Sequence, residues 1–156
     1  MPPMPDSRPS APPLLFDLQG PWRRVVFVAL YELIAIAVTT GGFMLASGHG
    51  AASSGAISVL CSALAVAWNV LFNTLFERWE SRQRRRGRGV GRRVAHALGF
   101  EGGLALMLVP LLAWWFGVSL WQALVMDLGL LLFFLGYTFA FNWGFDGLFG
   151  LPRGAR

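Results

Sequence analysis

Three carboxylates in this sequence stand where a carboxylate is costly. Glu32, Glu101 and Asp127 are each the one acid in a long apolar run. An acid inside a bilayer-length segment normally faces a helix bundle or a water-filled cavity, and marks a proton or substrate path. Glu32 and Glu101 share a second feature: Arg24 and Arg93 stand eight residues before them. Eight residues of helix span about 12 Å. With the arginine at the membrane interface, the acid lies roughly 12 Å into a hydrocarbon core about 30 Å thick. Desolvation favours the neutral form of any carboxyl. One such group can hold a proton or meet a cation, but not both well, and that competition can couple two flows.

Two stripes surround this chemistry. Trp68, Phe72 and Phe76 recur every fourth residue, and Asn69, Asn73 and Glu77 run beside them. Tyr137, Phe141 and Phe145 repeat the pattern beside Thr138, Asn142 and Asp146. Residues four apart stack on one helix face. The aromatic stripes suit flat, cationic, lipophilic molecules through stacking and cation–π contact, or packing and an interfacial belt. Asparagine in lipid bonds across helices, so the polar stripe is expected to face inward. Glu77 and Asp146 close their helices, where acids oppose the macrodipole. Arg24 and Arg93 begin helices at the same level, so these four residues are expected to form ion pairs at the rim. Asp127 is read as a relay acid, or as a partner for helix backbone freed by Pro110. His96 stands five residues before Glu101, about 140° around a helix, which separates it from that acid. His49 carries no visible role.

The elements that position these residues follow from composition. Of the 156 residues, 55% are apolar and 13% charged, against about 25% charged in ordinary soluble domains. A soluble globule of this size cannot hide so much apolar surface, which argues against a soluble enzyme. Runs 25–46, 56–76, 94–118 and 120–143 each have the roughly 20 residues needed to cross the hydrocarbon core. A spanning segment must satisfy its own backbone, so these are expected to be helices. The fold class is therefore all-α, a membrane protein of four transmembrane helices.

All 13 basic residues are arginine. Eight lie between positions 78 and 93, three before position 25 and two after position 152, while the 47–55 loop has none. The positive-inside rule then places both termini and the middle loop in the cytoplasm. The RQRRRGR run reads as a topology signal or an anionic-lipid contact, and no nucleic-acid partner is expected. Cys61 is the one cysteine, a small buried hydrophobe. The two histidines and this cysteine are spread too far for metal-ligand spacing. No metal or cofactor is expected. Residues 1–22 hold seven of nine prolines and read as a disordered cytoplasmic tail without a signal peptide's apolar run.

Displaced by 69 residues, the chain aligns with itself without a gap. Arg23, Arg24 and Val25 meet Arg92, Arg93 and Val94; Glu32 meets Glu101; Phe72 and Asn73 meet Phe141 and Asn142. This marks a duplicated two-helix unit. Both copies begin on one side, so the repeat is parallel, with its axis along the membrane normal. The expected organisation is a first pair over 23–80 (helices about 24–46 and 56–79) and an arginine-rich loop over 81–91. A second pair follows over 92–150 (helices about 93–117 and 120–145), then a tail over 151–156.

Four motifs, in order, resemble those of the proteobacterial antimicrobial compound efflux family, whose members are built of two bacterial transmembrane pairs. RVVFVALYE (24–32) resembles the first, with Phe27 in place of histidine; WNVLFNTLFE (68–77) the second; RVAHALGFE (93–101) the third; YTFAFNWGFD (137–146) the fourth. The resemblance implies a multi-pass exporter in the bacterial inner membrane. It would exchange protons for cationic amphipathic biocides such as chlorhexidine or acriflavine, or for diamines. The family's key acid falls on Glu32. A channel-like protein, a diamine-specific carrier and a non-transporting helical subunit are the alternatives. Drug-sized pockets run about 300–1,000 Å³, more than four short helices enclose, which makes a homodimer a candidate assembly.

Overall fold

The computed structural model describes residue 15, residues 18–82 and residues 89–150. The expected tail over 1–22, middle loop over 81–91 and tail over 151–156 lie wholly or largely outside the described residues. Among the described residues there are four helices and no strand. They are α1 (Gly20–Ser47), α2 (Ala51–Ser81), α3 (Val90–Phe116) and α4 (Leu120–Phe149). Each is long and apolar enough to cross a membrane, and the chain is a multi-pass membrane protein.

The helices outrun the apolar runs that foretold them. α1 takes in residues 20–22, which composition had assigned to the tail. Pro21 falls in the first turn, where its missing N–H has no intrahelical role. α2 starts at Ala51, five residues before the apolar run, because extended Gly50 (φ −70°, ψ 165°) caps it directly. Hydropathy misses such small, weakly polar helical residues as Ser53 and Ser54. Gly117 ends α3 with φ +62°, the left-handed conformation glycine adopts without strain. Val118 N–H then donates to Ala113 O at 3.1 Å, satisfying a terminal carbonyl. Pro110 lies inside α3 without ending it.

The chain divides into two compact units. One runs up to Leu33 and resumes at Phe133; the other is Ile34–Leu132. The Ile34–Leu132 unit has an apolar core of Phe43, Ile57, Cys61, Leu108, Leu112, Phe116 and Ala123. Phe43 and Phe116 meet with ring centroids 5.4 Å apart, and His49 lies 5.1 Å from Phe116. Trp115 Nε1 donates to Ser53 Oγ at 3.0 Å. In the other unit, α1 meets the carboxyl end of α4. There the N–H groups of Leu15 and Leu18 donate to Leu148 O and Phe149 O, at 3.0 and 3.2 Å. Two of the carbonyls that any helix end leaves open are thereby filled by the segment before α1.

Candidate functional site

In the first unit, three α1 residues spaced by four, Arg23, Phe27 and Tyr31, face the aromatic stripe of α4. The ring of Phe27 stands edge-on to Phe141 (5.1 Å, 79°) and Phe145 (5.0 Å, 77°). Tyr31 stands edge-on to Phe141 at 5.3 Å. Tyr137 Oη donates to the Tyr31 carbonyl at 2.8 Å, and the Tyr31 hydroxyl bonds Thr138 Oγ1 at 2.8 Å. At the helix ends, Arg23 Nη2 donates to Asp146 Oδ1 at 2.5 Å and to Gly150 O at 3.0 Å. The Arg23 guanidinium carbon lies 5.0 Å from the Phe145 ring centroid.

The second unit repeats the arrangement between α3 and α2. Arg92, His96 and Phe100 form the stripe. His96 stands edge-on to Phe72 (5.2 Å, 70°) and Phe76 (4.8 Å, 88°), and Phe100 to Phe72 (5.7 Å, 70°). Trp68 Nε1 donates to the Phe100 carbonyl at 2.9 Å. Position for position this matches Tyr137 on Tyr31. In each unit an aromatic donor therefore holds the carbonyl of the residue just before the glutamate.

The aromatic stripes thus form the helix seams, and each pairs a first helix of one repeat with a second helix of the other. The polar stripe faces inward only in part. Asn73 Nδ2 donates to Asn69 O at 2.9 Å and to Asn69 Oδ1 at 3.0 Å; Asn142 Nδ2 donates to Thr138 O at 2.7 Å. Asn69 and Asn142 are exposed. A side-chain amide that bonds the carbonyl one turn back needs no partner on another helix, and the rings then take the seam. Other members of this stripe do bond across helices: Thr138 with the Tyr31 hydroxyl, Asp146 with Arg23, and Asn73 Oδ1 with His96 Nε2 at 2.9 Å. The Asn73 amide nitrogen is committed to Asn69, so its oxygen faces His96 and the His96 Nε2–H is the donor. Phe27, at the equivalent place, offers no such donor.

The rim ion pairs also shift. Asp146 pairs with Arg23 rather than Arg24. In the second copy Arg92 Nη1 stands 3.7 Å from Glu80 Oε1, so Arg92 and Glu80 take the places expected of Arg93 and Glu77. The cause is helical phase. Consecutive residues differ by about 100° around the axis, so the stripe that carries Phe27 and Tyr31 carries Arg23, while Arg24 and Arg93 are exposed. The signal was present: Arg23-Phe27-Tyr31 and Arg92-His96-Phe100 have the same four-residue spacing as the stripes they meet.

Glu32 and Glu101 sit one residue beyond those stripes, half-buried. Glu32 lies within electrostatic reach of Tyr137. Asp127, also half-buried, lies within reach of Glu101 and Cys61. Gly99 and Gly103 make room for the second seam. A Cβ on Gly103 would stand 2.1 Å from Trp68 Cζ2, and one on Gly99 3.0 Å from Phe72 Cζ. Among the described residues, no three His, Cys, Asp or Glu side chains gather as metal ligands would.

Comparison with known proteins fits this duplicated geometry. A family described as chlorhexidine efflux transporter (BTP) matches residues 19–82 and again residues 88–151. Both ends of the second match are displaced by the 69 residues of the internal repeat. A short-chain diamines transporter of Vibrio parahaemolyticus is 33% identical over 123 residues, covering 79% of this chain and 87% of that protein. Short-chain diamines transporters of Acinetobacter baylyi and Acinetobacter baumannii are 52% and 44% identical over 54 residues. Each of those alignments covers 35% of this chain and 38% of the relative. No solved structure matches. With two family matches that together span most of the chain, this protein belongs to the chlorhexidine efflux transporter (BTP) family.

Proposed function

We propose that the protein exports cationic amphipathic biocides, or diamines, across the bacterial inner membrane in exchange for protons. The observation that carries this reading is the twin setting of Glu32 and Glu101. Each acid lies in an apolar span, next to a carbonyl fixed by an aromatic donor, beside a seam of rings. The family description and the names of the relatives support a small cationic substrate.

In this reading Glu32 alternates between a proton and the substrate cation. Protonated, it is neutral and releases the cation; ionised, it attracts one. Glu101 is a secondary proton site in the other unit, and Asp127 relays protons toward it. The rings of the two seams lend cation–π attraction, about 0.5–2 kcal/mol each where water is excluded. The arginine distribution sets both termini and the middle loop in the cytoplasm. Each net charge moved across 100 mV is worth about 2.3 kcal/mol, so an electrogenic cycle draws on voltage as well as pH. Two copies would enclose more space than one, and a homodimer is the assembly we propose.

Everted membrane vesicles test the reading. Chlorhexidine, acriflavine or a diamine should be taken up when a proton gradient is imposed. A protonophore should abolish that uptake, and so should Glu32→Gln. Uptake that survives the protonophore would remove proton coupling. Native mass spectrometry across pH and substrate level checks the dimer, which is abandoned if active protein stays monomeric throughout.

A further inference from the structure

The cationic head of Arg23 rests in a setting that resembles a binding site more than a surface ion pair. One guanidinium nitrogen, Nη2, donates to both a carboxylate and a carbonyl, Asp146 Oδ1 and Gly150 O. The face of Phe145, itself buried, supports the same group. The site lies at the carboxyl end of α4, where the macrodipole adds negative potential. Leu15 and Leu18 already fill the neighbouring carbonyls of Leu148 and Phe149, so Gly150 O is left to receive a side chain. The Arg23 side chain is 14% exposed and that of Asp146 38%, so the acid remains reachable while the cation is shielded. Arg23 Nε is buried and makes no hydrogen bond. A staple optimised for its own arginine would satisfy that donor. A site shaped for a terminal NH₂ or NH₃ group would leave it idle.

We propose that Asp146, Gly150 O and the Phe145 ring form a binding site for cations that carry N–H donors, and that Arg23 occupies it as a tethered competitor. The ligands are protonated amidine, guanidine or biguanide groups and primary ammonium groups. The site rests on the export reading for its purpose but not for its existence. A ligand entering it must displace Arg23, which returns the guanidinium to water. The second copy lacks the arrangement. Arg92 meets Glu80 at 3.7 Å, and the position equivalent to Asp146 is the exposed Glu77. The proposal is therefore specific to the α1–α4 seam.

The affinity lost to a tethered competitor is set by the fraction of time the site stands empty. If Arg23 fills the site nine-tenths of the time, removing it raises affinity about tenfold. Calorimetry on detergent-solubilised full-length protein, with no proton gradient, compares wild type with Arg23→Gln. Chlorhexidine and 1,4-diaminobutane should bind Arg23→Gln about tenfold more tightly, and tetraphenylphosphonium, which has no N–H, should bind the two alike. A gain for chlorhexidine alone assigns the site to guanidine-type groups, and a gain for the diamine alone assigns it to primary ammonium. The double variant Arg23→Gln with Asp146→Asn should lose the gain. Unchanged or weaker binding of both N–H cations, or an equal gain for tetraphenylphosphonium, overturns the proposal.

Chemical rescue keeps the proposal testable if the variant folds poorly. Millimolar methylguanidinium should raise the melting temperature of Arg23→Ala, but not that of wild type or of Arg23→Ala with Asp146→Asn. No rise in Arg23→Ala, or the same rise in all three, also overturns it. Binding gains that appear without any proton-driven uptake would remove the transport reading and leave the site standing.

Discussion

At the residue scale, Glu32 and Glu101 share burial and both follow a fixed carbonyl, yet their neighbourhoods differ, most plainly at Phe27 and His96. His96 in the second unit bonds Asn73; Phe27 in the first cannot bond Asn142. The seam beside Glu101 is thus tied by one polar bond that the seam beside Glu32 lacks. We therefore expect the two acids to differ in function. Glu32→Gln, a fixed mimic of the protonated acid, should weaken cation binding, remove its pH dependence and abolish proton-driven efflux, while Glu101→Gln should keep most efflux. Transport and binding assays on both variants at matched expression check this; equal loss in the two would make the repeat functionally symmetric. The carbonyl donors give a second expectation. Tyr137→Phe removes one interhelical hydrogen bond at the residue before Glu32, a loss of about 0.6–1.7 kcal/mol by the scale of such bonds in membranes. Reversible unfolding in mixed micelles measures it. The acids were legible in the sequence because an acid in a 20-residue apolar run is conspicuous. Arg23 was legible only through its four-residue spacing to Phe27 and Tyr31, a cue that counts once those rings are known to form the seam.

At the element scale, α2 and α3 approach through Gly99 and Gly103. Trp68 lies over Gly103 so closely that a methyl group there would overlap the indole. Gly103→Ala should destabilise the α2–α3 seam by about 1–3 kcal/mol, the usual cost of overpacking, and break the Trp68–Phe100 hydrogen bond. Gly102→Ala is the control, since a Cβ there meets nothing within 4 Å; thermal unfolding should separate the two. The four helices were legible because a membrane span depends on length and apolarity alone. Their pairing was not. Every face of such a helix is largely apolar, so hydropathy has little angular signal, and the aromatic and polar stripes were the periodic features. The polar stripe misled in part because an amide that bonds its own helix looks, in sequence, like one that bonds its neighbour.

At the scale of the whole molecule, the duplication acquires a meaning that sequence order hides. The repeat is a pair of consecutive helices, but each aromatic seam joins a first helix of one copy to a second helix of the other: α1 with α4, α2 with α3. Either half alone therefore holds one side of each seam and completes neither. Cutting the chain between the halves should leave both seams intact, because no seam contact among the described residues involves the connection between them. Residues 1–85 and 86–156 co-expressed as separate chains should thus restore efflux, while either half alone should not. The arginines at 78 and 82 and those at 92 and 93 remain on opposite sides of the cut, so each fragment keeps the charges that orient it. Alkaline phosphatase fused after residue 50 should be active, and after residue 89 inactive, in the intact and the divided protein alike. Efflux from one half alone would mean that two copies of that half can build a seam between them, and the interleaved pairing would then not be required for transport. Failure of the paired fragments, with both inserted in the expected orientation, would mean that the connection does more than join the halves.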